Sequence, residues 1–220
     1  MLSPVTSTLA ELSHALDLGV HYADEGFVVV EKPSGLLSVP GKTLNDSVIH
    51  RLRRHFDNAQ AVHRLDMATS GLLIIALDTA TERKLKRQFE QRRVEKEYRA
   101  RVFGAPQQPF GVIDLPLICD WPNRPRQKVC FVHGKPSQTR YEVLSRQEGY
   151  SQIRLTPITG RSHQLRVHMM ALGNPILGDE FYAHPAAFDA APRLLLHAAM
   201  LAFDHPHSGE RIQLFSPIPF

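Results

Sequence analysis

Short apolar runs bounded by turn residues recur along the chain and predict strands more often than helices. Residues 27–31 (FVVVE) follow a glycine, residues 72–77 (LLIIAL) follow a Thr-Ser-Gly turn, and both are too short for helices. The Asp24-Glu25-Gly26 turn predicts that the first run pairs with the residues before it. The same criteria predict further strands at 97–103, 128–132, 139–145, 151–156, 194–201 and 211–215.

Three helices are predicted where a polar residue that can cap a helix precedes apolar residues at helical spacing. They begin near Asp46 or Ser47, near Asp78 or Thr79, and near Ser162. In the second helix, which should end near residue 91, Glu82 lies three residues after Thr79, the spacing of a capping box. Because strands cluster with few long helices between them, the pattern predicts an α+β fold with a mixed, mostly antiparallel central sheet flanked by helices and loops.

Composition narrows the class of protein. The chain has 220 residues, of which 43% are hydrophobic, enough for a substantial core. No apolar run approaches the roughly 18 residues that a membrane span needs. No basic residue precedes Lys32, so the start of the chain lacks the charged region of a secretory signal. The two cysteines are too few for a disulfide framework, and we therefore expect a cytoplasmic protein without membrane association.

Positive charge is concentrated in two segments. Residues 81–101 contain nine Lys or Arg against four acids, and residues 121–140 contain five with no acid. A polyanion such as RNA would be attracted to these segments, because phosphate contacts supply much of the affinity for nucleic acids. A solvated helix face and a basic loop explain the same charges without a ligand, and charge alone does not decide between them.

Asp66 stands between Arg64 and a Thr-Ser-Gly turn in the segment AVHRLDMATSGLLIIA (61–76). An Asp at this place is either a turn residue that bonds nearby backbone N–H groups or a carboxylate with a chemical role. Arg64 lies two residues earlier, so both side chains point to the same side if the backbone is extended. The buried strand that follows would hold the loop rigidly, as a functional site requires.

Two further candidates carry charge or an aromatic ring. Arg161, His163, Arg166 and His168 crowd residues 160–169, but the two histidines are five apart, about 140° around a helix, which disfavours a metal site. An arginine there needs a carboxylate or a phosphate as its partner. Tyr98, in EKEYRAR, is either a half-buried strand residue or an aromatic ring placed among cations for stacking on RNA bases.

Four segments resemble the motifs of the RluA family of pseudouridine synthases, in the same order and spacing. They are KPSGLLSVPG (32–41), HRLDMATSG (63–71), the stretch from Lys96 to Tyr98, and GRSHQLRVHM with LGNPILGD (160–179). Segments 115–130 and 192–198 resemble the member of that family that acts on both 23S ribosomal RNA and tRNA. The resemblance implies a pseudouridine synthase fold over residues 19–220 as a single catalytic domain, with residues 1–18 as an extension and no separate S4-like RNA-binding domain.

The resemblance also implies roles for individual residues. Asp66 corresponds to the essential aspartate, Tyr98 to the tyrosine that packs on the target base, and Arg166 to the basic residue that pairs with the catalytic carboxylate. Arg64 corresponds to the arginine that fills the gap left by the target nucleotide. The Lys32-Pro33-Ser34-Gly35 motif would support the site without taking part in the chemistry.

The activity implied is the isomerisation of specific uridines to pseudouridine in RNA stem-loops, by an intramolecular transferase of the isomerase class. It needs no cofactor and no metal, and we expect a monomer. Two alternatives stay open: a non-catalytic RNA-binding module with this fold, which would be expected to lack Asp66, and a base-excising glycosylase. The second commonly needs another carboxylate, and the motifs around Asp66 supply arginines instead.

Overall fold

A computed structural model describes residues 2–220. The α-helices are α1 (Leu9–Leu16), α2 (Val48–Arg53), α3 (Thr79–Glu90), α4 (Gln164–Ala171) and α5 (Pro185–Asp189). The strands are β1 (Gly19–Ala23), β2 (Phe27–Lys32), β3 (Gln60–Ala61), β4 (Ser70–Ala76), β5 (Glu95–Phe103), β6 (Phe110–Asp114), β7 (Leu117–Cys119), β8 (Gln127–Val129), β9 (Gln138–Gln147), β10 (Tyr150–Pro157), β11 (Leu196–Asp204) and β12 (Arg211–Phe215). None of the helices in this described part is long and apolar enough to cross a membrane.

The chain divides into two compact units. The first comprises the residues up to Glu95 together with Ala198–Pro217, and the second comprises Lys96–His197 with the last three residues. Most of β11 therefore belongs to the first unit.

Buried apolar strands form the first unit. The strands lie in the order β1-β2-β4-β11, with β12 on β11 and β3 on β4; β1 with β2, β2 with β4 and β11 with β12 are antiparallel pairs. Every residue of β4 is buried, which agrees with the short apolar run that predicted it. Phe27, Leu72, Ile74 and Phe203 pack together in its core, and this core supports the loop that precedes β4.

Antiparallel pairing also builds the second unit. Its strands lie in the order β5-β10-β9-β6, and β7 pairs with β8 as a separate hairpin. Ala100 and Val102 of β5 and Ile153 and Leu155 of β10 are buried, so these two strands contribute apolar side chains to the core. The predicted α+β class and the mostly antiparallel pairing are thus present in both units.

Helix starts differ from two of the predictions. Asp78, and not Thr79, caps α3, because its carboxylate accepts the backbone N–H of Thr81 at 2.9 Å; the expected capping box of Thr79 with Glu82 is therefore wrong. Helix α4 begins after His163, which has a left-handed backbone (φ 53°), and not after a Ser162 cap. Asp78 is one of the two caps predicted for α3, whereas the cap of α4 lies one residue after the predicted Ser162.

One strand is shorter than predicted, and two helices, α1 and α5, were not predicted. Strand β8 ends at Val129, because the next residues turn: the Gly134 N–H donates to the Cys130 carbonyl at 2.9 Å. Residues 9–16 form α1, whose start is fixed by a reciprocal pair of bonds between Thr8 and Glu11. The predicted division into an extension (1–18) and one catalytic domain stays a prediction.

Candidate active site

Arg64 and Asp66 lie together in the loop between β3 and β4 of the first unit. Arg64 is exposed, Leu65 is buried and Asp66 is half-buried, which is the alternation that extended backbone gives. The loop then turns, because the Thr69 N–H donates to the Asp66 carbonyl at 3.0 Å. The structure therefore places both sequence candidates of this segment on one short loop, with a buried leucine anchoring it between them.

The side chain of Lys32 binds the backbone of this loop. It is the last residue of β2 and is completely buried, with 0% of its surface exposed. Its ammonium donates to the carbonyls of Pro33 at 2.8 Å, Leu36 at 2.7 Å and Met67 at 2.9 Å. Because Met67 directly follows Asp66, a single buried cation joins the end of β2 to the backbone beside the candidate carboxylate.

Two serines bind the same loop through its backbone. The Ser38 hydroxyl donates to the Leu65 carbonyl at 2.8 Å and accepts the Leu65 N–H at 3.0 Å. The Ser34 hydroxyl donates to the Ala68 carbonyl at 2.7 Å. We call the side chains of Lys32, Ser34 and Ser38 the backbone clamp. Its bonds end on main-chain atoms on both sides of Asp66, so it positions the loop without using the Asp66 carboxylate.

Contacts of His63 and Gly71 fix the loop at its two ends. The His63 Nε2 accepts the Ile74 N–H at 3.1 Å, and the His63 ring stacks on Phe89 of α3 with centroids 4.7 Å apart. Gly71 has φ +116°, and a Cβ there would lie 2.3 Å from the Ala198 carbonyl oxygen. Only glycine permits so close an approach of β4 to β11, which explains the glycine of the Thr-Ser-Gly turn.

Electrostatics link Lys32 to Asp66 within the first unit. Burial lowers the Lys32 pKa to about 7, since a charged ammonium is disfavoured away from water, and the Asp66 carboxylate opposes that shift. The two charges attract each other, so Lys32 is a cationic neighbour of the candidate carboxylate as well as part of the clamp.

Tyr98 belongs to the second unit and lies on β5. It is half-buried, it pairs with Leu155 of β10, and it shares a strand face with the buried Ala100. Lys96 lies two residues earlier on the same face, and burial lowers the pKa of its ammonium. A Cβ added to Gly160 would lie 3.8 Å from the Lys96 Nζ, so this side chain ends beside the segment that leads into α4.

Arg166 lies on the first turn of α4 and is bound to Asp179, which the sequence did not single out. Its Nε donates to one carboxylate oxygen at 2.8 Å and its NH2 to the other at 2.6 Å, and both side chains are buried, with 2% and 0% exposed. The guanidinium also lies over the rings of Phe181 and Tyr182, 5.0 and 5.2 Å from their centroids. A fixed, bidentate partner of this kind sets the direction of the guanidinium.

Asp179 is held by its own loop. Its Oδ1 accepts the N–H groups of Phe181 at 2.9 Å and Tyr182 at 3.2 Å. Gly178 before it has φ +71°, and a Cβ there would lie 1.9 Å from the Arg193 carbonyl oxygen. The Leu-Gly-Asp sequence was the available signal: a glycine that the backbone requires, followed at once by an acid.

His163 connects the start of α4 to a tyrosine. Its Nδ1 is 2.7 Å from the Tyr182 hydroxyl, and that hydroxyl also accepts the Gln127 N–H at 2.8 Å. His163 is therefore bonded to the Tyr182 hydroxyl. Two arginines, Arg126 and Arg166, lie over the ring of Phe181. Among residues 2–220, no group of three or more His, Cys, Asp or Glu side chains is arranged to hold a metal ion.

Taken together, each unit holds two of the four predicted site residues. Arg64 and Asp66 share a clamped loop in the first, and Tyr98 and Arg166 lie on β5 and α4 in the second. The first unit offers an ionisable carboxylate with a buried cation near it. The second offers an aromatic ring and an oriented guanidinium. A carboxylate of the kind in the first unit can serve as a general base or as a nucleophile.

Comparison with known proteins identifies the family. The model of the RNA pseudouridylate synthase family matches residues 26–171. A protein of Escherichia coli O6:H1 named "Dual-specificity RNA pseudouridine synthase RluA" is 57% identical over 92% of this chain and 94% of its own length. The protein of that name from Yersinia pestis is 58% identical over 86% of this chain and 94% of its own length. The solved structure of Human RNA Pseudouridylate Synthase Domain Containing 1 is 31% identical, covers 92% of this chain and 84% of its own, and has a TM-score of 0.77, which confirms the predicted fold. The chain belongs to the RluA family of RNA pseudouridylate synthases.

Proposed function

We propose that this RNA pseudouridine synthase uses Asp66 as its catalytic carboxylate and acts on uridines in stem-loops of both 23S ribosomal RNA and tRNA. The activity class follows from the family. The dual substrates rest on the name of the relatives and on the segments at 115–130 and 192–198 that resemble the dual-specificity member. The observation that carries the role of Asp66 is the backbone clamp, which holds the loop on both sides of this residue through main-chain atoms.

The reaction rearranges one glycosidic bond. The N1–C1′ bond of uridine breaks, the uracil turns, and a C5–C1′ bond forms; C5 loses its proton and N1 gains one. No electron is gained or lost overall, so the proposal requires no redox cofactor. Asp66 either attacks C1′ to form a glycosyl ester or removes a ribose proton to form a glycal, and both routes need an ionised carboxylate.

The other candidate residues support that step. Arg166, whose direction Asp179 sets, is in our proposal the basic residue that serves the catalytic carboxylate, the role that the family resemblance implies for it. Tyr98 packs on the target base and retains the detached uracil. Lys32 adds positive charge near Asp66 when its amine is protonated.

A uridine stacked in RNA must leave the stack before it reacts, at a cost of a few kcal/mol. Arg64 is exposed on the Asp66 loop, and in our proposal it occupies the vacated space. Phosphate contacts offset part of the cost. The exposed face of α3 supplies candidates for them, as do the basic residues of 121–140; the α3 residues are Arg83, Lys84, Lys86 and Arg87. Loops are favoured targets because their bases are already partly unstacked.

The test is tritium release from RNA labelled with [5-³H]uridine. Wild-type enzyme should release tritium, and Asp66→Asn should release none above background under single-turnover conditions. Asp57→Asn, which changes an exposed turn residue of the same unit, is the matched control and should behave as wild type. Turnover of Asp66→Asn at the wild-type rate would refute the role of Asp66.

Product analysis separates the alternatives. A base-excising glycosylase would yield free uracil and an abasic site, and an RNA-binding module would yield no product. Pseudouridine at a defined position, with no free uracil, is the outcome expected here. Analysis of 23S ribosomal RNA and tRNA transcripts in parallel tests the dual specificity. A monomeric state and a cytoplasmic location remain predictions, to be tested by sedimentation and by fractionation.

A further inference from the structure

The β7–β8 arm, residues 115–135, carries aromatic and apolar side chains that face solvent. Trp121 is 66% exposed, Phe131 is 76% exposed and Val132 is 80% exposed. Trp121 follows β7 at the tip of the hairpin, and Phe131 follows β8 at its base, so the register separates the two rings along the arm. Several large apolar side chains this exposed on one short arm mark a candidate interaction surface.

Positive charge accompanies these rings. The arm contains four Lys or Arg and one acid, Asp120. Asp120 is already bonded to Lys128 at 2.9 Å. The net positive charge of the arm therefore comes from Arg124, Arg126 and Lys135. The Arg124 guanidinium lies 4.5 Å from the centre of the Trp121 ring, so the cation and the ring form one unit. Exposed aromatics among cations favour a partner that offers both flat rings and negative charge.

The arm is attached to the segment that holds Arg166. The Tyr182 hydroxyl accepts the Gln127 N–H of β8 at 2.8 Å and bonds the His163 ring at the start of α4. Arg126 lies 5.6 Å from the centre of Phe181, the ring on which Arg166 also stacks. These contacts lie within the second unit and fix the tip end of the arm, where Gln127 pairs with Cys119, to one of the candidate site segments.

We propose that the β7–β8 arm is a stacking surface for unpaired bases of the substrate RNA, with Trp121 as its principal contact. The inference rests on the proposed function and extends it, because it assigns the recognition of loop nucleotides to a specific element outside the Asp66 loop. Bases stack on exposed aromatic rings whatever their sequence, and the adjacent arginines bind the phosphates between them. Double-stranded RNA offers the phosphates without free base faces and should bind the arm less well.

Trp121 is the single tryptophan of the chain, so its fluorescence reports on the arm directly. Titration of the protein with an RNA hairpin that has an unpaired loop should quench tryptophan emission to saturation. A fully paired RNA duplex with the same number of phosphates should quench it much less. Asp66→Asn should be quenched to the same extent as wild type, because the arm acts before the chemistry.

Variants give the second readout. Trp121→Ala should raise the KM for the hairpin about tenfold with little change in kcat, since stacking acts in both ground and transition states. Trp121→Phe should keep most of the affinity. Phe215→Ala removes a ring of similar exposure, 65%, on β12 and should leave KM unchanged. Arg124→Gln should reduce the salt dependence of hairpin binding by about one phosphate contact.

The outcomes distinguish this proposal from the proposed function. If tryptophan emission stays unchanged at saturating hairpin while tritium release proceeds, the stacking role of the arm is refuted and the proposed activity is not. Equal quenching by duplex and hairpin would also overturn it. Quenching that depends on protein concentration without RNA would assign the arm to self-association instead. Absent tritium release with normal quenching would refute the activity and keep the arm as an RNA-binding surface.

Discussion

The loop around Asp66 and the first turn of α4 around Arg166 each present a candidate catalytic side chain, and they are held by different bonds. In the loop, the backbone clamp binds main-chain atoms on either side of Asp66. In α4, the side chain itself is held, because Asp179 takes two N–H groups of the Arg166 guanidinium. One arrangement sets where the backbone lies, and the other sets where a charged group points.

This difference fits the roles that we propose for the two groups. A carboxylate that forms and breaks bonds cannot also be its own anchor, so its loop is anchored through the backbone. A guanidinium that orients a carboxylate does not react, so it can be bonded permanently along one edge. Buried ion pairs contribute little net stability compared with apolar residues of the same size. We therefore interpret the Arg166–Asp179 pair as a device for orientation.

The largest expected effect is a loss of stability when one partner of the Arg166–Asp179 pair is removed. Asp179→Ala leaves the buried Arg166 guanidinium without this carboxylate, and the second unit should lose about 3–5 kcal/mol of unfolding free energy. Urea unfolding followed by circular dichroism measures the loss. Glu142→Ala is the control, because it breaks an exposed Arg–carboxylate pair of the same unit and should cost about 0–1 kcal/mol.

A double variant sharpens the interpretation. Arg166→Met with Asp179→Leu removes both charges and should recover most of the stability lost in Asp179→Ala, while tritium release stays absent. Recovered activity in the double variant would contradict an orienting role. Failure to recover stability would show that the pair contributes to folding beyond the charge it neutralises.

Loosening the backbone clamp should change the reaction rate more than the affinity for RNA. Lys32→Met removes three hydrogen bonds to carbonyls and frees the backbone beside Asp66. Since a displacement of about 1 Å at a reacting group costs about 100-fold in rate, kcat should fall by about that factor while the RNA dissociation constant stays near wild type. Single-turnover tritium release and filter binding measure the two quantities. Lys42→Met, at an exposed loop position, should change neither, and an unaltered kcat in Lys32→Met would exclude a positioning role for the clamp.

The two regions also differ in how far the sequence predicts them. The apolar run at 72–77 and the turn before Phe27 led directly to β4 and to the β1–β2 pair, because short buried strands have a clear pattern. The Asp66 loop is predictable because its motif is contiguous. Asp179 was not singled out, although it lies only 13 residues from Arg166, because a carboxylate buried by a tertiary contact leaves no periodic pattern in the sequence.

Cap positions show a second limit. Asp78 and Thr79 can both cap α3, and only the backbone geometry, with the Asp78 carboxylate on the Thr81 N–H, decides between them. His163 caps α4 in a left-handed conformation that sequence rules assign to glycine or asparagine. Its bond to the Tyr182 hydroxyl, 19 residues later, offers a tertiary reason for that conformation.

The smallest expected effect concerns the charge of Lys32. Its pKa falls from 10.5 to about 7 on folding, so the folded chain holds fewer protons than the unfolded chain between these values. Unfolding free energy therefore rises with pH through this window, and Lys32 adds no pH dependence below it, where the amine is protonated in both states. Between pH 7 and 8.5 the wild type should gain about 1–2 kcal/mol relative to Lys32→Met, a difference in which the other titrating groups cancel.

Urea unfolding of wild type and Lys32→Met at several pH values tests whether this stability difference rises with pH. Two opposing effects act on the Lys32 nitrogen. Burial disfavours the ammonium, whereas three carbonyl acceptors at 2.7–2.9 Å and the Asp66 charge favour it, because only the ammonium has three N–H groups to donate. A stability difference that stays flat to pH 8.5 would mean that the acceptors outweigh burial. Lys32 would then remain a permanent positive charge beside Asp66, and the loop of the first unit would resemble the Arg166 segment in depending on a buried cation.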